Sequence, residues 1–215
     1  MSDASPHDVL DAGGDEGDEA LIDALAEQGW AVCTDFLPAA CVHELAEAAR
    51  AADRSGQLRP ARVGAGIRRQ LRSDVRNDRI GWIEPPGAHP GEAALLGRLD
   101  GLRASANRLL QLGLFDLECH YALYPPGARY ARHLDRFADD DRRALSCVLY
   151  LNDAWHQEDG GQLRLHLAGR APVDILPSGG ALVAFLSDRI EHEVLPAHRQ
   201  RLSVAGWFRR RGPAP

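Results

Sequence analysis

Phe115-Asp-Leu-Glu-Cys-His-Tyr-Ala-Leu-Tyr124 is the stretch at which the texture of the chain turns from helical to extended, and Pro125-Pro126-Gly127 follows it as a turn. Seven more short β-rich runs come after it, each bounded by turn residues: Tyr130–Leu134, Ala144–Asn152, Gln162–Leu167, Val173–Leu176, Ala181–Ser187, Glu191–Leu195 and Arg201–Arg209. Eight short strands within about 95 residues predict a sheet that closes or doubles on itself. The fold class expected is therefore α+β: a double-stranded β-helix, or cupin-like jelly roll, of about eight strands with N-terminal helices packed outside it.

Upstream of that core the period is helical. Ala20 to Gln28 places Leu21, Ile22, Leu25 and Ala26 at helical spacing and stops at Gly29. Trp30 to Phe36 reads as a short strand, and Pro38 opens a helix through about Ala52 with Val42, Leu45 and Ala46 on one face. Gly56 to Arg79 carries little periodicity and reads mostly as loop; Trp82-Ile83 reads as a brief strand before the Pro85-Pro86 turn. A third helix is expected from about Gly91 to Gln111, capped by Gly113. The organisation expected is an acidic, disordered tail over 1–19, a helical region with its Arg-rich loop over 20–113, and the jelly-roll core over 114–210, the last two forming one domain.

Composition narrows the chemistry. A chain of 215 residues with 45% hydrophobic and 26% charged residues suits one globular domain. It has no apolar run long enough for a membrane span, and its acidic, Gly-rich start lacks the basic and apolar segments of a secretory leader, so a cytoplasmic protein is expected. The net charge of −6 argues against generic nucleic-acid binding. All 25 basic residues are Arg, which excludes Schiff-base and P-loop lysine chemistry and points to a GC-rich bacterial genome. Cys33, Cys41, Cys119 and Cys147 form no C-x-x-C pair and read as small core residues in a reducing compartment.

In His133-Leu-Asp135, residues two apart on a strand point to one side of the sheet, so an imidazole and a carboxylate are presented together. That pattern suits two ligands of one metal, and it equally suits a strand-end ion pair. His192, on a separate strand, supplies a third donor. Two histidines and one carboxylate without a thiolate match the facial triad of non-haem iron(II) oxygenases, which leaves three coordination positions open. On Arg201-Leu-Ser-Val-Ala-Gly-Trp-Phe208, one face carries Arg201, Ser203, Ala205 and Trp207, and the other carries Leu202, Val204, Gly206 and Phe208. The second face suits outer packing, and the first suits a cavity. A guanidinium pointing into a barrel needs an anion, and a ligand carboxylate gripped bidentately meets that need, with Tyr150 placed to donate its hydroxyl. The competing reading of Arg201 alone is a surface residue at a strand start.

Several motifs in order carry a resemblance: Tyr124-Pro-Pro-Gly-Ala-Arg-Tyr-Ala-Arg-His-Leu-Asp135, Val148-Leu-Tyr-Leu-Asn152, Gly160-Gly-Gln-Leu-Arg164 and His192-Glu-Val-Leu-Pro196, with Trp30–Leu37 and Asp74–Trp82 upstream. The chain resembles the iron(II)/2-oxoglutarate dioxygenase superfamily, within it the prolyl 4-hydroxylase branch related to the EGL-nine hypoxia-sensing enzymes, over roughly Leu21 to Arg209. The resemblance implies that His133, Asp135 and His192 bind Fe(II) and that Arg201, helped by Tyr150, binds the distal carboxylate of 2-oxoglutarate. By the same resemblance Tyr124, Leu163 and Trp207 line the co-substrate pocket, and Asp78 and Arg143 shape the substrate entrance. It also implies O2 as co-substrate, ascorbate as reductant of the iron, and a proline-containing protein as substrate. Ala205 stands where the animal enzymes carry Thr, and the acidic loop Arg136–Arg142 also departs from them.

Three functions follow as expectations: hydroxylation of peptidyl proline in a cytoplasmic protein, hydroxylation of a small molecule or free amino acid at the same centre, and non-catalytic sensing of a metal or ligand. The intact triad with Arg201 favours the first two. His120 and His166 read as strand residues, His156 and His198 as surface residues, and His43 as a helix-flank residue. The seven arginines of Arg59–Arg79 read as a solvated loop or as a lid facing an acidic or RNA-associated protein.

Overall fold

The extended runs of the C-terminal half assemble into two facing sheets whose pairing sets the site. The computed structural model describes residues 15–64, 70–136 and 142–212. The strands are β1 (Trp30–Cys33), β2 (Arg59–Pro60), β3 (Arg79–Ile83), β4 (Leu114–Tyr124), β5 (Tyr130–His133), β6 (Arg143–Tyr150), β7 (Leu163–His166), β8 (Val173–Ile175), β9 (Leu182–Leu186), β10 (Glu191–Val194) and β11 (Arg201–Arg210). The larger sheet runs β1-β9-β6-β11-β4-β3-β2 and the smaller β5-β10-β7-β8, with every strand pair antiparallel. All eight expected C-terminal runs are strands β4 to β11, and the neighbouring structures reported below share the jelly-roll fold.

Three helices, α1 (Asp15–Gln28), α2 (Ala39–Arg54) and α3 (Pro90–Leu110), cover the outer face of the larger sheet. The reason lies in the two-residue period of the strands. Leu202, Val204 and Phe208 of β11 pack in one cluster with Leu21, Leu45 and Leu99 of the helices. The opposite faces of the two sheets enclose a second cluster that includes Tyr124, Tyr150, Leu165, Val183 and Phe185. The outer cluster binds the helices, and the inner one walls the barrel around the site.

Three boundaries differ from the sequence reading, each through a tertiary or local partner. Helix α1 begins at Asp15, inside the stretch read as tail; Asp18 is buried there in an ion pair with Arg98 of α3 (2.7 Å). Helix α3 ends with Gln111 itself in the left-handed region (φ 53°), ahead of Gly113, while the Asn107 side chain holds both backbone groups of Leu114. The segment from 56 to 79 contributes β2 and the start of β3, and bridges Val63 to Gln70 and Arg76 to Tyr130. Residues 1–14 of the expected tail, 65–69 of the Arg-rich segment and 137–141 of the acidic loop lie outside the described residues.

Candidate active site

Strands β5 and β10 pair so that His133 and His192 are directly opposite, with ring centroids 4.2 Å apart. Asp135 follows the end of β5, and its carboxylate reaches both imidazoles: His133 Nε2 is 3.5 Å from Oδ1 and His192 Nε2 is 3.5 Å from Oδ2. One donor atom from each of the three lies within 4.8 Å of the other two.

The surrounding groups aim these donors. His133 Nδ1 is 2.8 Å from the Ala131 carbonyl and His192 Nδ1 is 3.2 Å from the Ile190 carbonyl. A carbonyl only accepts, so each Nδ1 carries a proton, which leaves Nε2 as the nitrogen turned toward the shared space. Burial pushes the His192 pKa down to about 4 against the pull of Asp135, so the ring is neutral at pH 7. Burial alone would raise the Asp135 carboxyl, but His192, His133 and the Ser146 hydroxyl hold it well below the usual range. Ser146 Oγ donates to Asp135 Oδ2 at 2.7 Å and is itself 2.8 Å from Ser187 Oγ, which fixes the carboxylate plane. Two imidazole nitrogens and one carboxylate oxygen, without sulfur, fit a divalent iron-type ion and leave one side of it open.

The three donors open onto a cavity between the two sheets. Tyr124, Leu163, Trp207 and Arg201 line it, so these expected co-substrate residues meet the His-Asp-His group in one place. Strand β11 supplies Arg201, Ser203, Ala205 and Trp207 to the lining, as its alternation predicts, and Gly206 adds backbone. Arg201 is 1% exposed; Nε donates to Gly161 O (2.9 Å) and Nη1 to Ser203 Oγ (3.3 Å). Among the described residues no carboxylate pairs with it. Its guanidinium carbon sits 4.9 Å from the Tyr124 ring centre and 5.1 Å from that of Tyr150. The Tyr150 hydroxyl is fully buried and, Arg201 beside it apart, has no hydrogen-bond partner among the described residues; burial pushes its pKa up to about 12 while Arg201 pulls the other way. A buried cation beside an unused hydroxyl is the electrostatic complement of a small carboxylate.

Gly160 and Gly161 make this seating possible. Both have positive φ (66° and 68°), and a Cβ on Gly161 would meet Arg201 Cδ at 3.1 Å. The carbonyl that holds Arg201 Nε therefore comes from a residue that must be glycine.

The structure does not bring Asp78 and Arg143 together as an ion pair. Asp78 is held bidentately by Arg76 (2.7 and 2.5 Å), both buried. Arg143 binds Glu118 at 2.7 Å and lies 3.7 Å over the Trp207 ring. Three polar groups at the site escape the sequence reading. Arg76 and His120 line the cavity, and Ser146 orients Asp135. Arg76 was legible only as one of seven arginines, whereas Ser146 lies on the cavity-facing side of β6 together with Tyr150, a period-two signal. His120, 2% exposed and with its pKa lowered to about 4 by burial, packs between Trp82 and Trp207.

A mononuclear metal site of two histidines and an aspartate, set in a jelly roll beside an anion-seeking arginine, defines a class of non-haem metal oxygenases. Residues 119–209 match the model of the 2OG-Fe(II) oxygenase superfamily, and the chain belongs to that superfamily, whose chemistry uses Fe(II), 2-oxoglutarate and O2. Within it the chain is homologous to the EGLN prolyl hydroxylases. It is 30% identical over 201 residues to Egl nine homolog 1 of Homo sapiens, covering 88% of this chain and 46% of the relative, so the chain spans about half the length of that protein. A crystal structure of a Pseudomonas putida prolyl-4-hydroxylase superposes with a TM-score of 0.84 at 50% identity, covering 91% of this chain and all of that one (100%). A prolyl hydroxylase from Trichoplax adhaerens, in complex with a hypoxia inducible factor oxygen degradation domain peptide fragment, gives a TM-score of 0.80 at 30% identity over 89% of this chain and 88% of the other.

Proposed function

We propose that this chain is an Fe(II)- and 2-oxoglutarate-dependent dioxygenase that hydroxylates proline in a peptide or protein, converting 2-oxoglutarate and O2 to succinate and CO2. The observation that carries the reading is the buried Arg201, without a carboxylate partner among the described residues, facing the cavity onto which His133, Asp135 and His192 open. In this reading those three residues hold Fe(II), which when bound supplies the oxygen activation that no side chain can perform.

The chain's own residues do the rest. Arg201 grips the distal carboxylate of 2-oxoglutarate through the guanidinium edge not committed to Gly161, and the Tyr150 hydroxyl donates to the same group. Tyr124, Leu163 and Trp207 wall the carbon chain and keep water away from it. Ser146 keeps Asp135 ionised and in plane. Asp78 acts at the substrate entrance through Arg76, and Arg143 through Trp207. The proline assignment is supported by the similarity to the Pseudomonas putida prolyl-4-hydroxylase and to the peptide-bound Trichoplax adhaerens enzyme. No helix among the described residues is long and apolar enough to cross a membrane. We place the activity in a bacterial cytoplasm with ascorbate as the supporting reductant.

The test is mass spectrometry of proline-containing proteins from a bacterial lysate incubated with the chain, Fe(II) and 2-oxoglutarate. A gain of one oxygen atom on proline, absent without 2-oxoglutarate, is the expected result. Succinate formation stimulated only by low-molecular-weight lysate components would move the substrate to a small molecule.

A further inference from the structure

We infer that the segment Val75–Asp78 is a clasp that sets the orientation of His133, with Arg76 and Tyr130 as positioning residues for that metal ligand. The inference rests on the iron reading above.

Strand β5, which carries His133, is the edge of the smaller sheet; only β10 pairs with it inside that sheet. Its other edge is covered by the clasp. Ala131 N donates to Val75 O at 2.8 Å, Asn77 N to Arg129 O at 3.4 Å, and Arg129 N to the Asn77 side-chain oxygen at 2.8 Å. Arg76 and Tyr130 form the bridge between the two segments. Ala131 is also the residue whose carbonyl takes the Nδ1 proton of His133. The Val75 bond thus anchors the backbone of the same residue whose carbonyl sets the tautomer and the direction of Nε2.

A second path fixes the ring plane. The Arg76 guanidinium lies 4.2 Å over the Tyr130 ring, and the Tyr130 ring stacks on the His133 ring at 3.7 Å with an interplanar angle of 18°. Arg76 is immobilised in turn by its bidentate pair with Asp78, which is 1% exposed. An exposed arginine on a loose segment would sample many rotamers. A buried and doubly bonded one is a fixed plate against which Tyr130 presses the imidazole. His192 needs no such device, because its strand lies inside the sheet between β5 and β7.

The test is metal affinity of the full chain, measured without substrate by titrating Co(II) into metal-free protein and following its visible absorption. Tyr130→Leu removes the stack without leaving a buried charge, Tyr130→Phe keeps it, and Arg76→Met/Asp78→Asn removes the plate without stranding a carboxylate. Outer-shell partners of metal-binding histidines are worth roughly 10- to 100-fold in affinity. We expect Tyr130→Leu and the double variant to weaken Co(II) binding by at least about tenfold with altered absorption bands, and Tyr130→Phe to match wild type. Melting temperatures of the metal-free variants report folding separately. Variants that melt lower yet bind Co(II) as tightly as wild type, with the same spectrum, would overturn the inference. Failure of wild type itself to bind Co(II), or undiminished binding by His192→Ala, would instead overturn the metal reading.

Discussion

Replacing Arg201 by Met separates binding from folding. The residue is 1% exposed, its guanidinium donates to the Gly161 carbonyl and the Ser203 hydroxyl, and no carboxylate among the described residues neutralises it. In the ligand-free chain that is a desolvated cation with incomplete compensation, so an apolar side chain of similar length leaves the melting temperature unchanged or raises it. Binding responds in the opposite direction. A charge-assisted hydrogen bond is worth about 1.5–3 kcal/mol, so the dissociation constant for 2-oxoglutarate rises roughly 10- to 150-fold. At a concentration 100 times the wild-type Kd, the ligand stabilises wild type by about 2.7 kcal/mol, roughly 5–11 °C in melting temperature for a chain of this size. The same concentration stabilises Arg201→Met by about 0.3–1.4 kcal/mol, a shift of roughly 1–5 °C. Differential scanning fluorimetry of the metal-loaded proteins, with calorimetric titration of 2-oxoglutarate, measures both. An unchanged affinity would mean that the carboxylate is held elsewhere, and a collapse of the ligand-free melting temperature would mean that Arg201 is a structural cation.

Ser146→Ala removes the hydroxyl that orients Asp135, and the metal dissociation constant rises by roughly tenfold in calorimetric titration; an unchanged value would assign the carboxylate's orientation to the histidines alone. Gly161→Ala puts a Cβ 3.1 Å from Arg201 Cδ at a positive φ, so 2-oxoglutarate binding weakens while metal binding holds, and equal loss of both would indicate general misfolding. The metal-free protein loses stability as pH falls from about 6.5 to about 4, because buried His120 stays neutral while the unfolded imidazole takes up a proton. The folded pKa is depressed, so this stability is present above about 6.5, and on the order of 3 kcal/mol is lost across that window. Urea unfolding at pH 7 and pH 5 measures it; His192 carries the same depression, so His120→Phe reduces the difference without abolishing it, and an undiminished difference would assign it to other groups.

Much of the site was legible because it is built on the two-residue period of strands. The same alternation that sends Leu202, Val204 and Phe208 to the helices sends Arg201, Ser203 and Trp207 to the cavity, and β11 could be read without its neighbours. The His133-Leu-Asp135 spacing works for the same reason, although β5 ends at His133 and Asp135 keeps its direction through the Ser146 hydrogen bond. What escaped the sequence depends on partners distant along the chain. The start of α1 is held by Asp18 on Arg98, 80 residues away. Asp78 reads as an entrance residue with Arg143, and the sequence does not announce that Arg76, two residues away, takes both of its oxygens. The Arg-rich segment reads as solvated loop because nothing local announces that Val75 and Asn77 bond to the backbone of 129–131.

The measurement that bears most directly on the central claim is succinate produced from 2-oxoglutarate by the Fe(II)-loaded full chain under air, with wild type beside Asp135→Ala. Asp135 is the lone carboxylate of the three-residue group and touches both histidines, so its loss leaves two neutral nitrogens that do not hold the ion. The account predicts succinate from wild type that depends on added Fe(II), and none above background from Asp135→Ala. Equal succinate from both proteins, or none from Fe(II)-loaded wild type, would contradict it.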